Sequence, residues 1–120
     1  MEGKQDLRIR TKAYASAVIR LYCCLAKNRT EVQVIGRQML RSGTSVAANY
    51  REASRARSDA DFISKIEVCA QEADETLLWL ELLEEDCGIK SELLKQLLKE
   101  TDKLISIFVT MSKKVKARLK

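Results

Sequence analysis

Histidine is absent from these 120 residues, and so is proline. Without histidine there is no imidazole base, no His-assisted triad, and none of the His ligands that most catalytic zinc and di-iron bundle sites use. The same absence argues against helical ribonucleases built on an Arg/His pair. With no proline, four glycines and 5% aromatic residues, the chain is poor in helix breakers and in the large side chains of β-sheets. No window approaches the ~18 uninterrupted apolar residues of a membrane span. The first residues, Met1 to Tyr14, contain no apolar core of a secretory signal. The four cysteines form no CxxC pair, so neither a zinc site nor a disulfide framework is indicated. Reduced, mostly buried thiols in a cytoplasmic protein are expected.

What is present is helical material. Hydrophobic residues make up 46% and charged residues 32%, with long runs of Leu, Ala, Lys, Glu and Arg. At this length the chain is one domain, 1–120. The net charge of +5 is unevenly spread. Residues 1–57 carry 12 Lys/Arg against 4 Asp/Glu, residues 58–112 carry 5 against 13, and the last eight residues add five cations. Such asymmetry permits nucleic-acid binding without requiring it.

The periodicity predicts helices over about 6–27, 31–56, 59–86 and 91–117. Leu7, Tyr14, Val18, Leu21 and Leu25 form the core stripe of the first. Thr30 and Gln33 make a T-x-x-Q capping box for the second, whose core face is Val32, Ile35, Met39, Val46, Tyr50 and Ala53. Gly36 and Gly43 share one flank of that helix, where each costs about 1 kcal/mol relative to alanine. Another backbone is expected close by, within the bundle or from a second subunit. Ser42, Thr44 and Ser45 favour a bend.

Ser58 with Asp61 is a second capping box. The third helix shows a seam of Ile63, Ile66, Ala70, Ala73, Leu77 and Leu80, flanked by Phe62, Cys69, Thr76 and Leu83. Its end, with Leu78, Trp79 and Leu82, is apolar nearly all round. Either Trp79 caps the core or another subunit covers the patch. Gly88 is the expected left-handed stop. The fourth helix steps through Leu94, Leu97, Thr101, Leu104, Phe108, Met111 and Val115 into a basic tail expected to fray. The fold class is all-α, an antiparallel up-down-up-down four-helix bundle.

For function, the many carboxylates of the third helix lack histidine partners, so they read as a solvated or arginine-paired face. No catalytic residue, metal site, cofactor or small-molecule substrate is indicated. The distinctive feature is a row opposite the core face of the second helix: Arg37, Arg41, Thr44, Ala48, Arg51 and Arg55, at spacings 4, 3, 4, 3, 4. Arginine makes planar, two-pronged contacts to carboxylate or phosphate. In one reading, Arg51 and Arg55 pair with carboxylates of the third helix or of another subunit. In the other, the four arginines, with the basic N-terminus and tail, contact phosphates, and binding is salt-dependent and weakly sequence-selective. No aromatic platform lies near the row except Tyr50, which belongs to the core, so base reading by stacking domains is not expected.

Several blocks carry a family resemblance. They are Gly36-Arg37-Gln38, Leu40 to Val46, Ala48-Asn49-Tyr50, Glu52-Ala53, Arg55-Ala56, Phe62 to Lys65, Glu72 to Thr76 and Trp79 to Leu83, together with the opening L-x-x-R-T-K-x-Y pattern from Leu7 to Tyr14. Over nearly its whole length the chain resembles the 23S rRNA intervening-sequence proteins, departing at Leu78, where an aromatic is expected. The resemblance implies a bacterial up-down bundle that closes into a homopentamer, and no catalytic residues. It also implies kinship with the basic pentameric accessory proteins of diversity-generating retroelements, thought to bind nucleic acid. The family name describes gene location and does not establish RNA binding. The resulting expectation is a non-enzymatic oligomer that binds RNA through Arg37, Arg41, Arg51 and Arg55, assisted by Lys113, Lys114 and Lys116. Gly36, Gly43 and Trp79 would lie at the subunit interface. The alternative is a homo-oligomeric interaction scaffold with no nucleic-acid role.

Overall fold

Four helices account for the computed structural model, which describes residues 4–119: α1 (Lys4–Cys24), α2 (Thr30–Ala53), α3 (Asp59–Glu85) and α4 (Glu92–Arg118). Short loops force each helix to run back along the last. The helices pack α1 on α2, α2 on α3, α3 on α4, and α4 back on α1, in a rod 51 × 22 × 20 Å. This is the expected antiparallel bundle.

The core rows follow the sequence periodicity with a few shifts; in α2, Ile35 lies half-buried beside the row of Val32, Met39, Val46, Tyr50 and Ala53. In α1, Leu7, Thr11, Tyr14, Val18 and Leu21 are buried, and Leu25 continues the row just past the helix end. In α3, the fully inward row is Phe62, Ile66, Cys69, Ala73, Thr76, Leu80 and Leu83, while Ile63, Ala70 and Leu77 lie half-buried beside it. The expected flank is therefore part of the seam, because α3 packs between α2 and α4 and must bury a wide stripe. In α4, Ser112 is buried where Met111 was expected. Each large aliphatic side chain in these rows contributes about 1.5–3 kcal/mol by leaving water.

A polar layer crosses the middle of this core. Tyr14 Oη lies 2.6 Å from Thr101 Oγ1, and Thr76 Oγ1 lies 2.7 Å from Ser42 Oγ. Two buried hydroxyl pairs, one joining α1 to α4 and one joining α2 to α3, thus bring one hydroxyl from each helix into the core. Burial pushes the Tyr14 hydroxyl up to about 12. Such a layer costs little when every member is bonded and disfavours sliding of one helix past another.

The ends are set locally. Ser58 Oγ accepts from the Asp61 N–H at 3.1 Å and Ser91 Oγ from the Leu94 N–H at 3.2 Å. Gly88 adopts φ 69°, which lets the Ile89 N–H reach back to the Leu83 carbonyl at 2.9 Å. The expected Thr30–Gln33 box does not form. Arg29 takes the cap position with no side-chain bond, and the Gln33 amide instead donates to the Ala26 carbonyl at 2.8 Å, clasping the preceding loop. Helix α1 stops at Cys24 rather than residue 27, and α2 stops at Ala53 rather than 56. The last bonds of α2 shorten to three-residue turns, Arg55 N to Glu52 O and Ala56 N to Ala53 O.

Gly36 and Gly43 face α1. A Cβ on Gly36 would lie 2.7 Å from Leu25 Cδ1, and one on Gly43 would lie 2.9 Å from both methyls of Val18. Both glycines are buried. They admit side chains of their own chain, so the proposed subunit contact at these two positions gives way to packing inside the bundle.

Candidate nucleic-acid interface

The outward row of α2 is where the periodicity places it. Arg37, Arg41, Ala48, Arg51 and Arg55 are exposed and Thr44 is half-buried, its hydroxyl bonded to the Leu40 carbonyl at 2.7 Å. Arg55 sits beyond the last turn of the helix, still on this side. The row does not act as one unit. Arg41 turns toward α3, where it is bonded to Glu75 and lies 3.6 Å from Glu72. Trp79 Nε1 donates to the same Glu75 carboxylate at 3.1 Å. Among the described residues, Arg37, Arg51 and Arg55 have no ion pair. The pairing expected for Arg51 and Arg55 is thus made, within the chain, by Arg41. Glu52, next to Arg51, is held by Lys65 at 3.0 Å.

Arg51 and Arg55 instead meet α1. A groove lined by Arg8, Ile9, Lys12 and Arg51 runs into one lined by Lys12, Ala47, Ala48, Arg51, Glu52 and Arg55, with Lys12 and Arg51 shared. Among the described residues, four cations therefore border one concavity, and its one carboxylate, Glu52, is already engaged by Lys65. The small side chains of Ala47 and Ala48 keep it open. Beneath it, Arg8 Nε and the Tyr50 hydroxyl are buried without hydrogen-bond partners. Burial pushes that hydroxyl up to about 12, Cys69 adds to the shift, and the Arg8 charge opposes it. Like charges crowded without counter-charges raise the local potential and favour an anion. The basic N-terminus was expected to assist, but Arg8 and Lys12 were not named individually from the sequence. Their signal was an i, i+4 pair of cations on the flank of α1 next to the core row.

Where fraying was expected, the described part of the basic tail is helical as far as Arg118. Helix α4 continues to Arg118 because Lys116 Nζ bonds Glu67 at 2.6 Å and Arg118 lies 3.4 Å from Asp59. The Lys116 hydrogen bond and charge hold the Glu67 carboxyl below its ordinary value. Lys116 is therefore occupied, whereas Lys113 and Lys114 are exposed and have no ion pair among the described residues. The antiparallel path brings the start of α1, the end of α2 and the end of α4 to the same end of the rod. Arg8, Lys12, Arg51, Arg55, Arg57, Lys113 and Lys114 thus share that end, and Arg37 lies toward the other.

Trp79 is half-buried against the core, and its neighbour Leu78 is the exposed apolar residue at 47%. Two cysteines depart from the expected burial: Cys23 and Cys24 are exposed, Cys69 and Cys87 buried. Burial pushes the Cys69 thiol up to about 12. Among the described residues, no His/Cys/Asp/Glu group could hold a metal ion, and no helix is long and apolar enough to cross a membrane.

Comparison with known proteins places this geometry. No curated protein matches the chain. A solved structure from Bacteroides thetaiotaomicron VPI-5482, a protein of unknown function from the S23 ribosomal protein family, is similar at 35% identity and a TM-score of 0.79. The similarity covers 88% of this chain and 97% of that one. The family model of the 23S rRNA-intervening sequence proteins matches residues 5–110, nearly the whole bundle. By its four-helix architecture and by that match, the chain belongs to the 23S rRNA-intervening sequence protein family.

Proposed function

We propose that the protein is a non-enzymatic, self-associating bundle that binds RNA through its basic end. The observation that carries this reading is the α1–α2 concavity, where Arg8, Lys12, Arg51 and Arg55 converge with no carboxylate free to neutralise them among the described residues. Phosphates satisfy such a cluster, with guanidinium groups gripping two oxygens at once. Lys113 and Lys114 extend the positive surface at the same end. Arg41 and Lys116 contribute less, because Glu75, Glu72 and Glu67 engage them. Self-association, as the homopentamer that the family resemblance implies, would multiply the number of such surfaces on one RNA.

The test is fluorescence anisotropy with a labelled structured RNA at several salt concentrations. Micromolar or tighter binding that weakens steeply with salt is expected, and the log–log slope counts the phosphates engaged. No binding at low salt refutes this reading. The scaffold reading would then stand. It draws support from the outward face of α1, where Ile9 is 63% and Ile19 46% exposed.

A further inference from the structure

A second cavity lies at the basic end, on the far side of the α2–α3 loop from the concavity. It is bordered by Ala56 and Arg57 in the loop, Phe62 of α3, and Met111, Lys114 and Val115 of α4, with a volume of about 410 Å³. Its floor is apolar: Phe62 and Val115 are buried, and Ala56 and Met111 are partly buried against the same core. Its rim carries three cations, Arg57, Lys114 and Arg118, against one carboxylate, Asp59, which Arg118 engages. Arg57 and Lys114 have no ion pair among the described residues, and Arg118, also on the rim, lies 3.4 Å from Asp59. An apolar floor under a positive rim suits a ligand that is flat and poorly hydrated at one end and anionic at the other. The volume falls in the range of small-ligand pockets, roughly 300–1,000 Å³.

The two cavities adjoin through consecutive residues. Arg55 borders the α1–α2 concavity, and Ala56 and Arg57 border this one. A phosphate chain gripped at Arg51 and Arg55 would therefore pass the mouth of the second cavity within a residue or two.

We infer that this cavity receives one unpaired nucleotide of the bound RNA. Its base sits against Ala56, Met111 and Val115, and its phosphate lies between Arg57 and Lys114. The inference rests on the RNA-binding reading and adds a substrate class: RNA with a bulged or terminal unpaired nucleotide, in preference to a continuous duplex. A base held in a duplex cannot enter the cavity without the cost of unstacking, and an unpaired base has little of that cost. Selectivity by sequence is weak, because every base has a hydrophobic face.

The experiment compares two labelled hairpins of equal length and charge, one fully paired and one with a single bulged purine, against the full chain. The bulged RNA is expected to bind about tenfold more tightly. With 2-aminopurine at the bulge, fluorescence should change on binding as the base leaves solvent. Ala56→Leu, which fills the floor from a loop position and leaves the helices intact, should abolish the preference and retain binding to the paired hairpin. Equal affinity for both RNAs, with no 2-aminopurine response, overturns the inference and leaves the RNA-binding reading in place. Failure of both hairpins to bind overturns the two together.

Discussion

Arg41 and the Arg51–Arg55 pair stand on one row of α2 and have opposite surroundings. Arg41 lies beside α3 and is neutralised by Glu72 and Glu75. Arg51 and Arg55, two and a half turns or more further on, border α1, which offers Arg8 and Lys12 instead of carboxylates. The difference comes from the neighbouring helix, not from α2. A long side chain on an outward row can swing to either adjacent helix, and the charge it finds there decides whether it stabilises the fold or remains available to a ligand. Arginines on one row are therefore not equivalent candidates for phosphate contact.

Charge reversal breaks the comparison most directly. Arg51→Glu with Arg55→Glu should lower RNA affinity at least about tenfold and reduce the salt slope by about two. Arg41→Glu should change the slope little. If the Arg41 substitution matched the double variant in anisotropy titrations, the distinction between Arg41 and the pair would fail.

The next effect acts through the spacing of α1 and α2, which sets the width of the concavity. Gly43→Ala drives a methyl into Val18, a stiff β-branched side chain, and should destabilise by about 1–3 kcal/mol in urea unfolding. Gly36→Ala meets the flexible end of Leu25, and its gain in helix propensity should offset most of the clash. Equal costs at the two glycines would show that the contacts with α1 differ less than the distances imply.

Smaller again is the loss of the Arg41 pair. The guanidinium is half exposed, so Arg41→Gln should cost less than about 1 kcal/mol by thermal unfolding. The smallest effect is a pH dependence at Glu67. Its folded value is depressed by Lys116, so its contribution is present above the unfolded value and is lost as pH falls through the folded one. The unfolding temperature should therefore drop slightly more below about pH 4.5 in the native chain than in Lys116→Gln. Identical curves would remove any role for this pair in holding the end of α4.

Much of the bundle was legible before any coordinates. Core rows at spacings of three and four, Ser58 and Ser91 before helices, and Gly88 after one are local signals, and local chemistry decides them. The misreadings share another cause. Gln33 clasps Ala26 rather than its own helix start, because a loop carbonyl seven residues back competes for the amide. The polar layer of Tyr14, Ser42, Thr76 and Thr101 was hidden because its members sit singly in apolar seams on four helices. The tail was expected to fray because its partners, Glu67 and Asp59, lie about fifty residues away.

By itself, then, the sequence determined four amphipathic helices, their order and their outward and inward faces, since a 3.6-residue period and short loops leave little freedom. Only the tertiary structure decided which charges face one another. That choice depends on helix rotation and on neighbours distant in the chain. It separates Arg41 from Arg51 and Arg55, brings Arg8 and Lys12 beside them, and leaves Arg51 and Arg55 without an ion pair among the described residues.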